Sequence, residues 1–82
     1  MGIVENYYKK NGASAILIQS GEIKKGDRMM IIGKTTGVFE QKVENIQKDG
    51  KEVDSAKKGE IVGIKTNKLT RKNDQVFVIK KV

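Results

Sequence analysis

The chain has 82 residues, with seventeen Lys or Arg against ten Asp or Glu for a net charge of +7, and it contains neither cysteine nor histidine. That length predicts one domain, 1–82, with a marginal core, and the missing residue types exclude disulfides, thiolate or imidazole metal sites and the usual thiol nucleophiles and general bases. An enzyme, a metal or another cofactor is therefore not expected. No apolar run approaches the ~20 residues of a membrane span and no signal-peptide pattern opens the chain, which predicts a soluble cytoplasmic protein.

The first element is a hairpin. Ile3-Val4-Glu5-Asn6-Tyr7-Tyr8 and Ala13-Ser14-Ala15-Ile16-Leu17-Ile18 flank Lys9-Lys10-Asn11-Gly12, and Asn-Gly between β-prone runs predicts a primed turn, since both residues tolerate positive φ. Tyr7 and Tyr8 point to opposite faces, one toward the core and one at the surface beside Lys9 and Lys10. Ser20-Gly21 then turns the chain into the stretch that ends at Gly33. Ile23 is its isolated apolar anchor, and Gly26-Asp27 suits a tight turn. Met29 and Ile31 alternate with Met30 and Ile32, which predicts a strand covered on both faces.

Lys34-Thr35-Thr36-Gly37 forms a second hairpin loop leading into a strand over 38–46. Phe39 and Val43 share one face there, and a bulge near Glu44-Asn45 returns Ile46 to the core. Lys48-Asp49-Gly50-Lys51 is a turn, followed by the apolar anchor Val53. The run 55–58 is too short for a helix. Ile61-Val62-Gly63-Ile64 is a strand in which Gly63 marks a bulge or close backbone packing. Leu69 anchors the loop 67–74, Gln75-Val76-Phe77-Val78-Ile79 is the last strand, and Lys80-Lys81 frays. About six strands predict an all-β, small closed barrel, with Met29, Ile31, Phe39, Val43, Val62, Ile64 and Val76 buried.

One pattern recurs. Lys24-Lys25-Gly26-Asp27, Lys57-Lys58-Gly59-Glu60 and Arg71-Lys72-Asn73-Asp74 each precede an apolar strand. The form is two basic residues, one able to take positive φ, then an acidic one. It is turn chemistry reused at three strand starts.

Residues 21–33 match the pattern Gly-x-Ile-Lys-x-Gly-Asp-x-Val-x-Ile-x-Gly, with Met29 in place of Val. Downstream, Ala56-x-x-Gly59-x-x-Val62-Gly63-Ile64 follows a second pattern of the same family. The chain thus resembles the second domain of translational GTPases such as elongation factor Tu. It is similar to C-terminal domains of bacterial collagenase-like peptidases, and most of all to short stand-alone elongation-factor-like proteins. The resemblance implies a six-stranded Greek-key closed barrel of the translation-factor second-domain type. It brings no GTPase activity, because Gly33-Lys34-Thr35-Thr36 lacks the earlier glycine and following helix of a phosphate loop. An SH3-like barrel of the ribosomal-protein kind would explain Lys25-Gly26-Asp27 and Gly33-Lys34, but not the match over 56–64.

Charge and resemblance together lead to an RNA-binding accessory module of translation or tRNA, without catalysis. Its partner is tRNA or ribosomal RNA. Lys24, Lys25, Lys57, Lys58, Arg71 and Lys72, with Arg28, Lys9 and Lys10, would hold phosphates, and Tyr7 or Tyr8 would stack on a base. The alternative is a protein-interaction module that docks on a partner enzyme or ribosomal protein. The bland reading of the same lysines is a solvated surface.

Overall fold

The computed structural model of the protein describes residues 1–79. Among the described residues there is no helix, and so none long and apolar enough to cross a membrane. Ten strands follow one another: β1 (Gly2–Tyr8), β2 (Ala13–Ile18), β3 (Glu22–Lys24), β4 (Arg28–Gly33), β5 (Gly37–Lys42), β6 (Ile46–Lys48), β7 (Lys51–Val53), β8 (Ser55–Lys57), β9 (Ile61–Lys65) and β10 (Gln75–Ile79). Eight of them form one sheet in the order β5-β4-β10-β1-β2-β9-β6-β7, and β3 pairs with β8 as a separate ribbon. Every pairing is antiparallel.

Alternation places one face of the curled sheet inward. Val4 on β1, Ile16 and Ile18 on β2, Met29 and Ile31 on β4, Val62 and Ile64 on β9 and Val76 on β10 meet there. The ribbon closes the core, with Ile23 opposite Ala56 and both fully buried. Six isoleucines are fully buried, whereas Phe39 is the sole aromatic in the core cluster. β-branched side chains lose little on entering a pleated sheet, so the core and the strand propensity agree. All seven residues expected in the core are buried.

The sheet is open where a six-stranded closed barrel was expected. β5 and β7 are its two ends. Near the first edge a side chain replaces a ladder: Gln41 donates from Nε2 to the Lys65 carbonyl at 2.7 Å and accepts from the Asn67 amide at 2.7 Å. The count rises to ten because long apolar runs break at turns. The expected strand over 38–46 stops at Lys42, since the Val43 amide leaves the ladder to donate to the Asp27 carbonyl at 2.7 Å. Ile46, fully buried, then starts β6, so a break stands in place of the bulge. The short β3 and β8 pair with each other rather than extending longer strands.

Other expectations change locally. Tyr8 pairs with Ala13 across a four-residue loop in which Gly12 alone has positive φ, at 64°, so the first hairpin is not a two-residue primed turn. A register shift falls between Val4 and Asn6 on β1, whereas Gly63 sits in register opposite Ala15. Leu69 is 39% exposed and does not anchor its loop. Thr66 and Thr70 do, through hydrogen bonds of 3.1 and 2.7 Å to the buried Ser14 hydroxyl. β4 is covered on one face only: Met29 and Ile31 are fully buried, but Met30 and Ile32 are half-buried on the outside. The expected fraying at Lys80-Lys81 lies outside the described residues.

Ile31→Ala removes a fully buried side chain from the centre of this core and should cost about 2–5 kcal/mol in urea unfolding. A loss below about 0.5 kcal/mol, the scale of a surface change, would mean that the register of β4 is wrong.

Candidate functional site: the basic turns

The three basic turns share one hydrogen-bond scheme. The amide of the acidic residue donates to the carbonyl of the first basic residue: Asp27 to Lys24 at 3.0 Å, Glu60 to Lys57 at 3.1 Å and Asp74 to Arg71 at 3.1 Å. Each carboxylate in turn accepts from the amide of that basic residue, at 2.9, 2.7 and 2.8 Å. The third residue is left-handed, with φ of 96° at Gly26, 90° at Gly59 and 76° at Asn73. Asn is the non-glycine residue best suited to that conformation.

Each turn is also stitched to a buried residue in or just beyond a strand by two backbone bonds of 2.7–2.9 Å. Gly26 donates to the Val43 carbonyl while Val43 donates back to Asp27. Gly59, Ile18 and Glu60 repeat the exchange, as do Asn73, Val4 and Asp74.

The turns do not form one patch. Gln75 lies opposite Ile32 and Ile79 opposite Arg28, so the turns before β4 and before β10 flank opposite ends of β4. At the first, charges are paired: Lys24 with Glu22 at 3.7 Å, Lys25 with Glu52 at 3.0 Å and Arg28 with Glu40 at 3.4 Å. Such exposed pairs contribute little stability but reduce the local field. At the second, Glu60 bonds to Lys48, while Lys57 and Lys58 have no ion pair among the described residues. At the third, Arg71 and Lys72 are likewise without an ion pair among the described residues, because Asp74 is buried and bonded to the Thr36 hydroxyl and the Arg71 amide. Lys9 and Lys10 lie in the exposed β1–β2 loop; Tyr8 is half exposed at its start and Tyr7 half-buried behind it.

A feature missed in the sequence lies beside the third turn. The β4–β5 loop and the turn before β10 enclose an open groove of about 500 Å³, with Lys34, Arg71 and Lys72 around it. Asp74 clamps its two walls, and Gly33 makes room for the clamp, since a Cβ there would collide with the Asp74 carboxylate. The signal was Gly33-Lys34-Thr35-Thr36, read in the sequence as a hairpin loop and rejected as the tail of a phosphate loop. Among the described residues no group of three acidic, His or Cys side chains is placed to hold a metal.

The Lys48 ammonium, and after it the Lys57 amide, hold the Glu60 carboxyl below its ordinary 4.5, and Glu60 raises Lys48 above its ordinary 10.5. A depressed carboxyl stabilises the fold above its unfolded value, and that contribution is lost as pH falls through the folded value. A raised lysine stabilises the fold below 10.5, and loses that contribution as pH rises further. Glu60→Gln should therefore lower thermal stability at neutral pH and flatten the acid limb below 4.5. An unchanged acid limb in that variant would show that the pair carries none of the pH dependence. At the turns, Gly26→Val should cost about 1–3 kcal/mol through backbone strain, whereas Asn73→Gly should be neutral or slightly stabilising. Equal losses for the two in thermal melts would break the equivalence of the turns.

Residues 1–76 match the profile of the peptidase family U32 C-terminal domain. The chain is 45% identical over 80 residues to an uncharacterized protease of Methanocaldococcus jannaschii, covering 98% of this chain and 19% of that one. It is 37% identical over 71 residues to a collagenase of Porphyromonas gingivalis, covering 87% of this chain and 20% of the relative. In fold it is similar to the crystal structure of the C-terminal domain of a Geobacillus thermoleovorans protein assigned to the U32 peptidases. The TM-score is 0.89 at 22% identity, over 96% of this chain and 90% of that one. The chain thus spans about a fifth of the length of the curated relatives. These matches overturn the likeness to stand-alone elongation-factor-like proteins, and with it the reading as an RNA-binding module of translation. The residues that carried that likeness are turn glycines and core aliphatics, which any barrel-like sheet with these turns needs. Of the resemblances drawn from the sequence, the one to collagenase-like peptidases is the one its relatives bear: the chain belongs to the peptidase family U32 C-terminal domain family.

Proposed function

We propose that the chain serves as the C-terminal accessory domain of a U32-type peptidase, where it orients the peptidase body and leaves peptide-bond cleavage to groups outside these residues. The observation that carries this reading is the match over residues 1–76 to a domain of that family, in relatives named protease and collagenase. Composition supports the division of labour, because the chain has no cysteine and no histidine. Its most buried hydroxyl, on Ser14, is bonded to Thr66 and Thr70 rather than to a base.

The test is to graft this chain into the Porphyromonas gingivalis collagenase in place of the matching fifth and to assay gelatin cleavage. The graft should keep kcat/KM within about tenfold of the parent enzyme, and the isolated chain should cleave nothing. An unrelated β-domain of equal size in the same place should lower activity well beyond that. Turnover by the isolated chain, or equal activity with the unrelated domain, would overturn the reading.

A further inference from the structure

The outer face of the sheet carries an apolar row interrupted once. Val38 lies opposite Ile32, Ile32 opposite Gln75, Gln75 opposite Ile3, Ile3 opposite Leu17, and Leu17 opposite Ile61. Gln75 is the only polar residue in this row across six strands. Met30 and Phe77 pair directly beside it. None of these side chains belongs to the buried core or packs against it. Val38 and Ile61, at the two ends, are 63% and 55% exposed. In a chain with 33% charged residues, such a row is not a scatter of single apolar side chains. Between them Ile32, Ile3 and Leu17, with Met30 and Phe77 alongside, are half-buried, and a row of partly exposed apolar side chains of this length marks an interaction site.

The middle of the row adjoins the cationic groove. Ile32 and Gln75 line both the row and the groove that holds Lys34, Arg71 and Lys72. The nearby carboxylates are already engaged, Asp74 by Thr36 and Glu40 by Arg28. The surface therefore presents aliphatic and aromatic side chains flanked on one side by three cations. Its complement is an apolar protein surface flanked by carboxylates.

The relatives indicate what covers it. They carry this domain as about a fifth of one polypeptide, so the remaining body is tethered beside it at high effective concentration. A modest interface of about 600–1,500 Å² is then sufficient. Because the sheet is curled, one partner reaches only the middle strands, which span about 14 Å from β4 to β2 at the usual strand spacing. We infer that Met30, Ile32, Phe77, Ile3 and Leu17 form the docking face for the peptidase body, with carboxylates of that body seated in the groove of Lys34, Arg71 and Lys72. This rests on the peptidase-accessory reading and assigns it a surface.

Adjacent methionines provide the test, since Met29 is fully buried and Met30 faces outward. Hydroxyl-radical footprinting should label Met30 and Phe77, but not Met29, in the isolated chain. In the collagenase graft, labelling of Met30 and Phe77 should fall about fivefold or more, as burial in an interface core requires. Lys34→Glu with Lys72→Glu should restore that labelling in the graft without moving the melting temperature of the isolated chain. If the graft does not fold, the same graft into the Methanocaldococcus jannaschii protease gives the same readout. Equal labelling of Met30 in free and grafted chains, with gelatin cleavage retained, would overturn the docking face while leaving the accessory function standing. Protection of Met30 that grows with concentration in the isolated chain would overturn it in favour of a second copy of the chain. Protection in a graft that behaves like the unrelated-domain control would retain the face and overturn the accessory function instead.

Discussion

The exchange of two backbone hydrogen bonds between a basic turn and a buried residue at the end of a ladder is the interaction on which the rest of this fold depends. It occurs at Val43, Ile18 and Val4, and each of these residues is almost fully buried. A ladder that stops inside a core leaves an amide and a carbonyl without water, and each unsatisfied group costs about 1–3 kcal/mol. The turns supply those partners. To do so, the third residue must turn its amide outward from the turn, which requires the left-handed conformation found at Gly26, Gly59 and Asn73. The acidic residue then satisfies the amide that the turn would otherwise leave open. Short strands of three to seven residues can enclose a core because their ends are finished in this way.

This is also why so much of the fold was legible in the sequence. Turn chemistry is local, so the repeated basic, basic, Gly or Asn, acidic pattern located three strand starts and the left-handed residue in each. Alternation located the core from Met29 to Val76. What escaped were features decided at a distance. The end of β5 is set by Asp27, fifteen positions upstream of the last residue of that strand, Lys42. The loop 66–74 is held by hydroxyls on Ser14, so its apolar Leu69 was the wrong anchor to choose. Closure depended on whether backbone or the Gln41 side chain bridged toward β9, and no residue pattern near Gln41 expresses that choice.

The site was less legible than the fold, for a related reason. The residues that carried the likeness to translation factors are those this architecture uses to make turns and fill a core. They therefore identify an architecture, and its use lies elsewhere. The lysines at the turns were expected to share one role because their sequences are alike, yet the turns before β4 and β10 sit at opposite ends of one strand. Part of their charge is also matched locally, by Glu22, Glu52 and Glu40.

The four residues Met29-Met30-Ile31-Ile32 hold the more informative signal. A strand with both faces apolar requires cover on both, and Met30 and Ile32 have it only in part. Their neighbours across the sheet, Phe77 and Val38, are apolar too, so the excess belongs to a surface rather than to one strand. Apolar area left partly uncovered works against a marginal domain of 82 residues, because the uncovered part supplies no folding energy and favours association. Its placement next to a groove held open by Gly33 and Asp74 joins the outer apolar residues to a fixed cluster of cations. The core accounts for one half of the apolar pattern of β4, and the docking face we infer would account for the other.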